Sequence, residues 1–352
     1  MLTQVSLSGL RSLPGSAIIM PSQGRQGSSP IPLFEWSPGK QMSLFSSLDE
    51  QSPLTGRVAL GIEYEGSAYC GWQRLKHAPS VQQALEQALE RVAQQPVEVF
   101  ATGRTDTGVH ASRQIAHFDA PVPRTQKAWV MGVNANLPRD IRVQWAVGVA
   151  DDFHARASAI ARRYRYVIHN SAQPPALARQ LMAWHRTPLD AQRMHRAAQV
   201  LVGEHDFSAF RAARCQSSTP WRHVHFIDVR RHGPLVVIDV QANAFLHHMI
   251  RNIAGTLLAI GDGRYPEHWC GELLAAGIRA DAGATAPAEG LHFVDARYAQ
   301  QETLPQTPLG PVMLAFLGEW SGERQVPIGV YLRDRQQRIA EQLAQARQEA
   351  TP

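Results

Sequence analysis

Regular alternation of hydrophobic and polar positions begins at Arg57, where the next apolar residues lie on one face of a predicted strand: Val58, Leu60, Ile62 and Tyr64. The pattern then becomes helical. Ser80 and Gln83 form a capping box, and the apolar residues that follow recur at helical spacing as one stripe: Val81, Ala84, Leu85, Ala88, Leu89 and Val92. We therefore expect a strand and then an amphipathic helix that ends before Pro96.

The same reasoning extends to both halves of the chain. Up to residue 150 the remaining predicted elements are strands over residues 97–101, 114–119 and 141–147 and a short helix over 127–133. The second half repeats this order, with strands over 163–168, 224–230, 235–240 and 291–294 and helices over 189–202, 250–261 and 267–276. Two split β-α-β units in one chain predict an α+β fold of two ferredoxin-like halves, with antiparallel sheets and a central active-site cleft.

These patterns divide the chain into four segments. Residues 1–55 are rich in Ser, Gly, Pro and Gln without periodicity, which predicts a disordered extension. Residues 56–150 and 151–300 form the two halves, and residues 301–352 form an extension of open role. No stretch approaches the roughly 18 apolar residues of a membrane span, and the start lacks the pattern of a secretory signal. We expect a cytoplasmic protein without membrane contact.

Composition and charge narrow the class of partner. The chain is 44% hydrophobic, enough for a sizeable core, and its formal charge is +5. The positive excess lies between residues 56 and 300, which carry 27 basic and 21 acidic residues. This favours a polyanionic partner without identifying one. The three cysteines, Cys70, Cys215 and Cys270, lack CxxC spacing, so neither a disulfide framework nor a thiolate zinc site is expected.

One loop between two predicted strands concentrates polar chemistry. Residues 103–111 read GRTDTGVHA and place Arg104, Asp106 and His110 among glycines, which permit tight backbone paths and close ligand approach. The same letters are also ordinary turn chemistry, because an aspartate often caps its own loop. From spacing alone Asp106 is therefore either a catalytic carboxylate or a loop cap.

This loop resembles the signature Gly-Arg-Thr-Asp-x-Gly-Val-His-Ala of the tRNA pseudouridine synthase A family. Five further blocks match that family in order, at residues 163–166, 203–210, 215–222, 245–252 and 286–291. The resemblance covers about residues 56–300 and leaves both extensions unexplained.

The resemblance implies an enzyme that isomerises uridine to pseudouridine in the anticodon stem-loop of tRNA, at positions 38 to 40. Such an enzyme breaks the bond from uracil N1 to C1′, turns the ring and joins C5 to C1′, and it needs no cofactor. Asp106 matches the family's catalytic aspartate, which acts as a nucleophile at C1′ or C6 or deprotonates a ribose carbon. The family also implies a homodimer that binds tRNA across both subunits.

The resemblance assigns four more residues to the substrate, each with a structural alternative. Arg104 matches the arginine that supports the flipped nucleotide, although it could simply pair with Asp106. Tyr164 matches a tyrosine that stacks on the target base, although alternation alone indicates strand packing. Arg251 matches a basic residue near the catalytic carboxylate, and a solvated surface arginine is its alternative. Leu291 matches a position that lines the uracil pocket, which is compatible with a place in the core.

Two other classes of function remain as alternatives. His247 and His248, with Asp106 and His110, suggest a metal-dependent RNA phosphodiesterase. Against it, adjacent histidines on a helix point about 100° apart, and no HxH, HxxxH or second acidic ligand accompanies them, so we expect no metal site. A non-catalytic RNA-binding protein would share the β-α-β-β-α-β order, but the strands lack the clustered aromatic residues of an RNP motif.

Overall fold

The computed structural model describes residues 52–299, 304–305 and 310–314, which belong to one compact unit. The disorder expected for residues 1–55 therefore falls almost wholly outside the described residues, as does most of the C-terminal extension. The first strand begins at Leu54, inside the segment expected to be disordered. None of the helices in the described part combines the length and the apolar character that crossing a membrane requires.

Within the described residues the chain forms strands β1–β10 and α-helices α1–α5. Their order is β1 (Leu54–Tyr64), α1 (Val81–Ala93), β2 (Phe100–Ala101), β3 (His110–Arg124), α2 (Val133–Asn136), β4 (Ile141–Gly148), β5 (Ala159–Asn170), β6 (Ala183–His185), α3 (Ala191–Ala198), β7 (Gly203–Asp206), β8 (Trp221–His232), β9 (Leu235–Ala242), α4 (Met249–Gly261), α5 (Trp269–Ala276) and β10 (Leu291–Tyr298). A π-helical turn over Ala128–Gly132 leads into α2. The predicted mixed α+β class is confirmed.

All these strands belong to one sheet. Its order is β4-β1-β3-β10-β5-β9-β8-β7, with β2 paired to β3 and β6 paired to β5 beside this path. The pairs are antiparallel except for β10 with β3 and β6 with β5, which are parallel. The strands before residue 150 thus follow the order β4-β1-β3-β2, and those after it include the order β10-β5-β9-β8. The two sets meet where β3 pairs with β10.

The helix predicted after Ser80 is confirmed at both ends. The Ser80 hydroxyl accepts a hydrogen bond of 3.4 Å from the Gln83 N–H, which caps α1. At the other end Gln94 adopts a left-handed conformation, and its N–H donates to the Glu90 carbonyl at 2.7 Å. Leu85 and other apolar residues of the stripe are fully buried, so packing of this face against the sheet stabilises the helix.

Helix α4 is buried on nearly every side. Every residue of α4 except Arg251 is buried, as expected for a helix that is apolar all round. Because the guanidinium cannot be desolvated without a partner, Arg251 lies at the one place where the helix surface is open. The helix therefore presents a single charged side chain, close to its N-terminal end.

Strand β5 separates two kinds of residue by its alternation. Arg163 and Arg165 lie on one face and Tyr164 on the other, as the period of a strand requires. Asp239 accepts hydrogen bonds of 2.7 and 2.6 Å from Arg163 and of 3.0 Å from Arg165. These three side chains are almost fully buried. This buried ion-pair cluster occupies one face of β5, and Tyr164 lies on the opposite face.

Candidate active site

Asp106 lies in the loop between β2 and β3, and its backbone is held from two directions. The Thr105 hydroxyl lies 2.8 Å from the Tyr64 hydroxyl. The Thr105 carbonyl accepts a hydrogen bond of 3.0 Å from the Trp72 N–H, and the Asp106 carbonyl accepts one of 3.1 Å from the Val109 N–H. The loop thus has a fixed path, while the Asp106 side chain keeps 27% of its surface exposed. A carboxylate held in this way can meet a ligand without reorganising.

A glycine in the preceding loop makes this path possible. Gly71 has a φ of +91°, and a Cβ added there would lie 2.5 Å from the Thr105 carbonyl oxygen. Only glycine combines this conformation with such an approach. Gly71 carries no signal in the sequence, because its role depends on a contact with a loop more than 30 residues further along the chain.

Three nitrogen-bearing side chains surround the Asp106 carboxylate. The Nε2 atom of His247 lies 3.4 Å from Oδ1, the Nε2 atom of His248 lies 3.5 Å from Oδ2, and Nη1 of Arg251 lies 3.8 Å from Oδ2. The Arg251 side chain is 16% exposed, and its Nε donates a hydrogen bond of 2.8 Å to the Ala286 carbonyl. The structure therefore places Arg251 near the carboxylate, as expected.

The two histidines converge because neither belongs to the body of α4. His248 precedes the helix with a left-handed backbone, φ 60° and ψ 4°, and the helix begins at Met249. The His247 N–H donates to Cys215 Sγ at 3.4 Å, and its carbonyl accepts from the Ala212 N–H at 3.0 Å. The ring centroids lie 4.0 Å apart. The expectation that adjacent histidines diverge by a helical step is wrong here, since that geometry applies only inside a helix.

Three side chains of this cluster also carry donor atoms that are close enough together to hold a metal ion. One donor atom from each of Asp106, His247 and His248 lies within 4.8 Å of the other two. Two imidazoles and a carboxylate are ligands that zinc and related transition metals accept. The positive charge of Arg251, beside the same carboxylate, disfavours the binding of a metal cation there. Burial lowers the pKa of His248, and the attraction of the Asp106 carboxylate offsets that shift only in part.

Tyr164 lies among aromatic rings, with its hydroxyl beside Gly103 of the loop that carries Asp106. Its ring packs edge to face against Phe245, with centroids 5.2 Å apart, and against Phe293, at 5.0 Å. Burial raises the pKa of the Tyr164 hydroxyl, and the negative charge of Asp106 adds to that rise. The phenol therefore stays neutral at physiological pH. Its 8% exposed surface is compatible with both the packing and the stacking interpretation.

The other two predicted residues differ in burial. Leu291 is 5% exposed and opens β10, where it pairs in register with Tyr166 of β5. Arg104 is exposed, and among the described residues it forms no hydrogen bond or ion pair. Among the described residues the arginine that lies beside the Asp106 carboxylate is Arg251, and no ion pair joins Arg104 to it.

Comparison with known proteins decides the family. Residues 61–156 and 197–299 match a family model described as tRNA pseudouridine synthase. The chain belongs to the tRNA pseudouridine synthase family. Proteins named tRNA pseudouridine synthase A from Escherichia fergusonii (strain ATCC 35469) and from Escherichia coli O1:K1 / APEC are each 55% identical to it over 267 residues, which are 76% of this chain and 99% of theirs.

A solved structure of a Cbf5-Nop10-Gar1 complex includes a chain that is 10% identical to this one with a TM-score of 0.28. The match covers 71% of this chain and 59% of that chain, and a similarity this low supports no inference here.

The matched ranges contain most of the site. Asp106 and Arg104 fall in the first matched range, whereas His247, His248 and Arg251 fall in the second. The stretch between the two ranges, residues 157–196, includes Tyr164. Residues on both sides of the carboxylate thus lie in ranges that match the family model.

Proposed function

We propose that this chain converts uridine to pseudouridine in the anticodon stem-loop of tRNA, at positions 38 to 40, and that the Asp106 carboxylate carries the chemistry without a cofactor. Family membership supports the reaction and the tRNA substrate. The observation that supports Asp106 is its setting: a partly exposed carboxylate on a fixed loop, 3.8 Å from the Arg251 guanidinium. A cation at that distance stabilises the negative charge that a nucleophile or base requires.

The reaction is redox-neutral, and its atoms balance within the substrate. The bond from N1 to C1′ breaks, the bond from C5 to C1′ forms, C5 loses a proton and N1 gains one. Asp106 attacks C1′ or C6, or it removes a ribose proton, and a rigid carboxylate suits each of these roles.

The remaining residues are assigned to holding the substrate. Arg104, exposed and without a protein partner among the described residues, is free to support the nucleotide that leaves the stem, a step that costs a few kcal/mol in unstacking. Tyr164 supplies an aromatic face for the base, and Leu291 forms an apolar wall of the uracil pocket. Arg251, tied to the Ala286 carbonyl, orients the carboxylate.

The fold assignment belongs to the same proposal. Residues 56–150 and 151–300 form two ferredoxin-like halves, with the active-site cleft between them. The strand orders β4-β1-β3-β2 and β10-β5-β9-β8 support this division, because each is the 4-1-3-2 order of a split β-α-β unit. The protein acts in the cytoplasm as a homodimer, and residues 1–53 are dispensable for catalysis. Deletion of those residues tests the last point, since a folded but inactive truncation would contradict it.

A metal-dependent RNA phosphodiesterase is the second candidate, favoured by the convergence of His247 and His248 on Asp106. One assay separates the two functions. Unmodified tRNA is incubated with the protein in excess EDTA, digested to nucleosides and examined for a product with the mass of uridine and a different retention. A synthase makes this isomer without metal. A phosphodiesterase would instead cut the tRNA, and only when its metal is supplied.

The same assay on Asp106→Asn tests the catalytic assignment. The amide keeps the size of the carboxylate but cannot act as a base or a good nucleophile, so turnover should fall to background. Binding of tRNA should change little, because arginine contacts to phosphate dominate affinity. Asp152→Asn, the same change at an exposed position, serves as the control and should retain full turnover. An Asp106→Asn protein that forms the isomer at nearly the wild-type rate would contradict the assignment of Asp106 as the catalytic residue.

A further inference from the structure

We infer that Asp106, His247 and His248 form a binding site for a transition-metal ion, and that Zn²⁺ or Co²⁺ bound there inhibits the enzyme by occupying its carboxylate. The inhibition rests on the proposed function of Asp106, whereas the metal binding stands without it.

The distances between the donor atoms support the inferred metal site. In a tetrahedral zinc site with bonds of ~2.0–2.1 Å, neighbouring donor atoms lie about 3.3 Å apart. The His247 Nε2 atom lies 3.4 Å from Asp106 Oδ1, and the His248 Nε2 atom lies 3.5 Å from the other carboxylate oxygen, Oδ2. All three donor atoms lie within 4.8 Å of one another. Each imidazole therefore already lies at about this spacing from one carboxylate oxygen, and the set of three donor atoms has to contract from separations of at most 4.8 Å to bind one ion.

The backbone holds these ligands in place before any metal arrives. The His247 carbonyl accepts a hydrogen bond from the Ala212 N–H, and its N–H donates to Cys215 Sγ. The His248 carbonyl accepts a bond of 2.9 Å from the Asn252 N–H, the first turn of α4. Since both histidines are fixed at the backbone, little backbone entropy is lost when their rings bind an ion.

The surroundings indicate a reversible site for borderline metals. The side chains of Asp106 and His247 are 27% and 39% exposed, so water can complete the coordination. The Arg251 guanidinium, 3.8 Å from Asp106 Oδ2, weakens the attraction for a dication, and a tight structural metal is therefore not expected. Mg²⁺ prefers oxygen ligands, so the magnesium that accompanies tRNA should not compete for two imidazoles.

The inhibitory effect follows from the proposed chemistry. A metal bound to the Asp106 carboxylate takes up the lone pairs that a nucleophile or base must use. The metal also places a dication where the flipped nucleotide has to approach. Occupancy should therefore stop the isomerisation, in contrast to a metal-dependent phosphodiesterase, which the same ion would activate.

The test begins with the full-length protein after EDTA treatment. Its binding of Co²⁺ is measured by visible absorption and by calorimetry. We expect one Co²⁺ per chain at this site and at least a tenfold loss of affinity in both His247→Ala and His248→Asn. Asparagine is chosen because it tolerates the left-handed backbone of His248. The chain has 15 histidines, so a control is needed. His268→Ala, at an exposed ring 3.6 Å from Glu272, should bind Co²⁺ as the wild type does.

The second arm measures pseudouridine formation with Zn²⁺ added in the presence of excess Mg²⁺. Turnover should fall as Zn²⁺ saturates the site and return after EDTA is added, while the tRNA stays intact. Co²⁺ affinity that is unchanged in both histidine variants would overturn the metal site. Full turnover by the zinc-loaded protein, or zinc-dependent cutting of tRNA, would overturn inhibition. Absence of pseudouridine under every condition, with Co²⁺ binding lost in the variants, would refute the proposed function and leave the metal site standing.

Discussion

Substitution of Gly255 by alanine should push α4 away from the segment that anchors Arg251. A Cβ at Gly255 would lie 1.7 Å from the Ala284 carbonyl oxygen and 2.9 Å from the carbon of that carbonyl. Carbon–oxygen contacts in proteins are ordinarily about 3.3 Å or longer, so the two backbones must separate by roughly 1.6 Å. The carbonyl belongs to the main chain and cannot rotate away as a side chain would. The hydrogen bonds between Arg251 and Ala286 lie directly beside this contact.

The expected change in stability has the opposite sign to the usual effect of replacing glycine by alanine in a helix. Glycine to alanine in a helix interior normally stabilises a protein by roughly 0.5–1 kcal/mol. Overpacking costs about 1–3 kcal/mol and occasionally more, and a backbone clash of this size belongs at the upper end. We therefore expect Gly255→Ala to lower the free energy of unfolding by about 2 kcal/mol, which corresponds to a fall in Tm of roughly 5 °C.

Gly271→Ala is the matched control, because it makes the same change in helix α5. A Cβ at Gly271 would meet Val200 Cγ2 at 3.5 Å, an ordinary contact, so the variant should be as stable as the wild type or more so. Urea denaturation followed by tryptophan fluorescence measures both variants, and pseudouridine formation shows whether loss of the Arg251 anchor lowers turnover. A Gly255→Ala protein at least as stable as Gly271→Ala, with full turnover, would refute the reasoning.

Three further predictions concern charge. Asp239→Asn should destabilise the protein by about 3–5 kcal/mol in urea denaturation, because the guanidinium groups of Arg163 and Arg165 lose their buried carboxylate, and a change below about 1 kcal/mol would contradict this. Burial lowers the pKa of His292 to about 3, so the folded state excludes a proton that the unfolded chain binds below pH ~6.5. Stability should therefore fall as pH decreases from that value, by about 1.4 kcal/mol per unit, and His292→Gln should remove this part of the slope. Arg104→Ala should leave urea unfolding unchanged within about 0.5 kcal/mol while lowering tRNA turnover and reducing the salt dependence of binding by about one ion, and an unchanged turnover would exclude Arg104 from the substrate site.

The periodicity of the sequence predicts helices and strands that bury a complete apolar face. It fails where side chains, instead of a neighbouring strand, take the backbone hydrogen bonds of a segment. Alternation predicts a strand over residues 97–101, but β2 contains only Phe100 and Ala101. The reason is Val99, whose N–H donates to the Glu86 carboxylate at 3.1 Å and whose carbonyl accepts from the Gln82 side chain at 3.1 Å. Two side chains of helix α1 therefore replace a neighbouring strand, which apolar alternation cannot reveal.

The candidate site was predictable as a set of residues but not as a geometry. The matched blocks indicated both Asp106 and Arg251, which lie 145 positions apart in the chain and within 3.8 Å in the structure. The convergence of His247 and His248 was missed, because the left-handed backbone of His248 leaves no trace in hydrophobic periodicity. A histidine pair directly before an apolar helix was the available signal, since the residue before a helix does not follow helical spacing.

One parallel strand pair brings the two parts of the site together. Strands β3 and β10 pair in register at His110 and His292, and the rings of these two residues stack with centroids 4.8 Å apart. Asp106 lies four residues before the start of β3, and Leu291 is the first residue of β10, so the parallel direction places both at the same end of the pair. Tyr164 reaches this end from β5, the next strand of the sheet. An antiparallel pairing of β3 with β10 would have put Asp106 and Leu291 at opposite ends of the pair. The parallel pairing where the two sets of antiparallel strands meet is therefore what brings these two residues to one end.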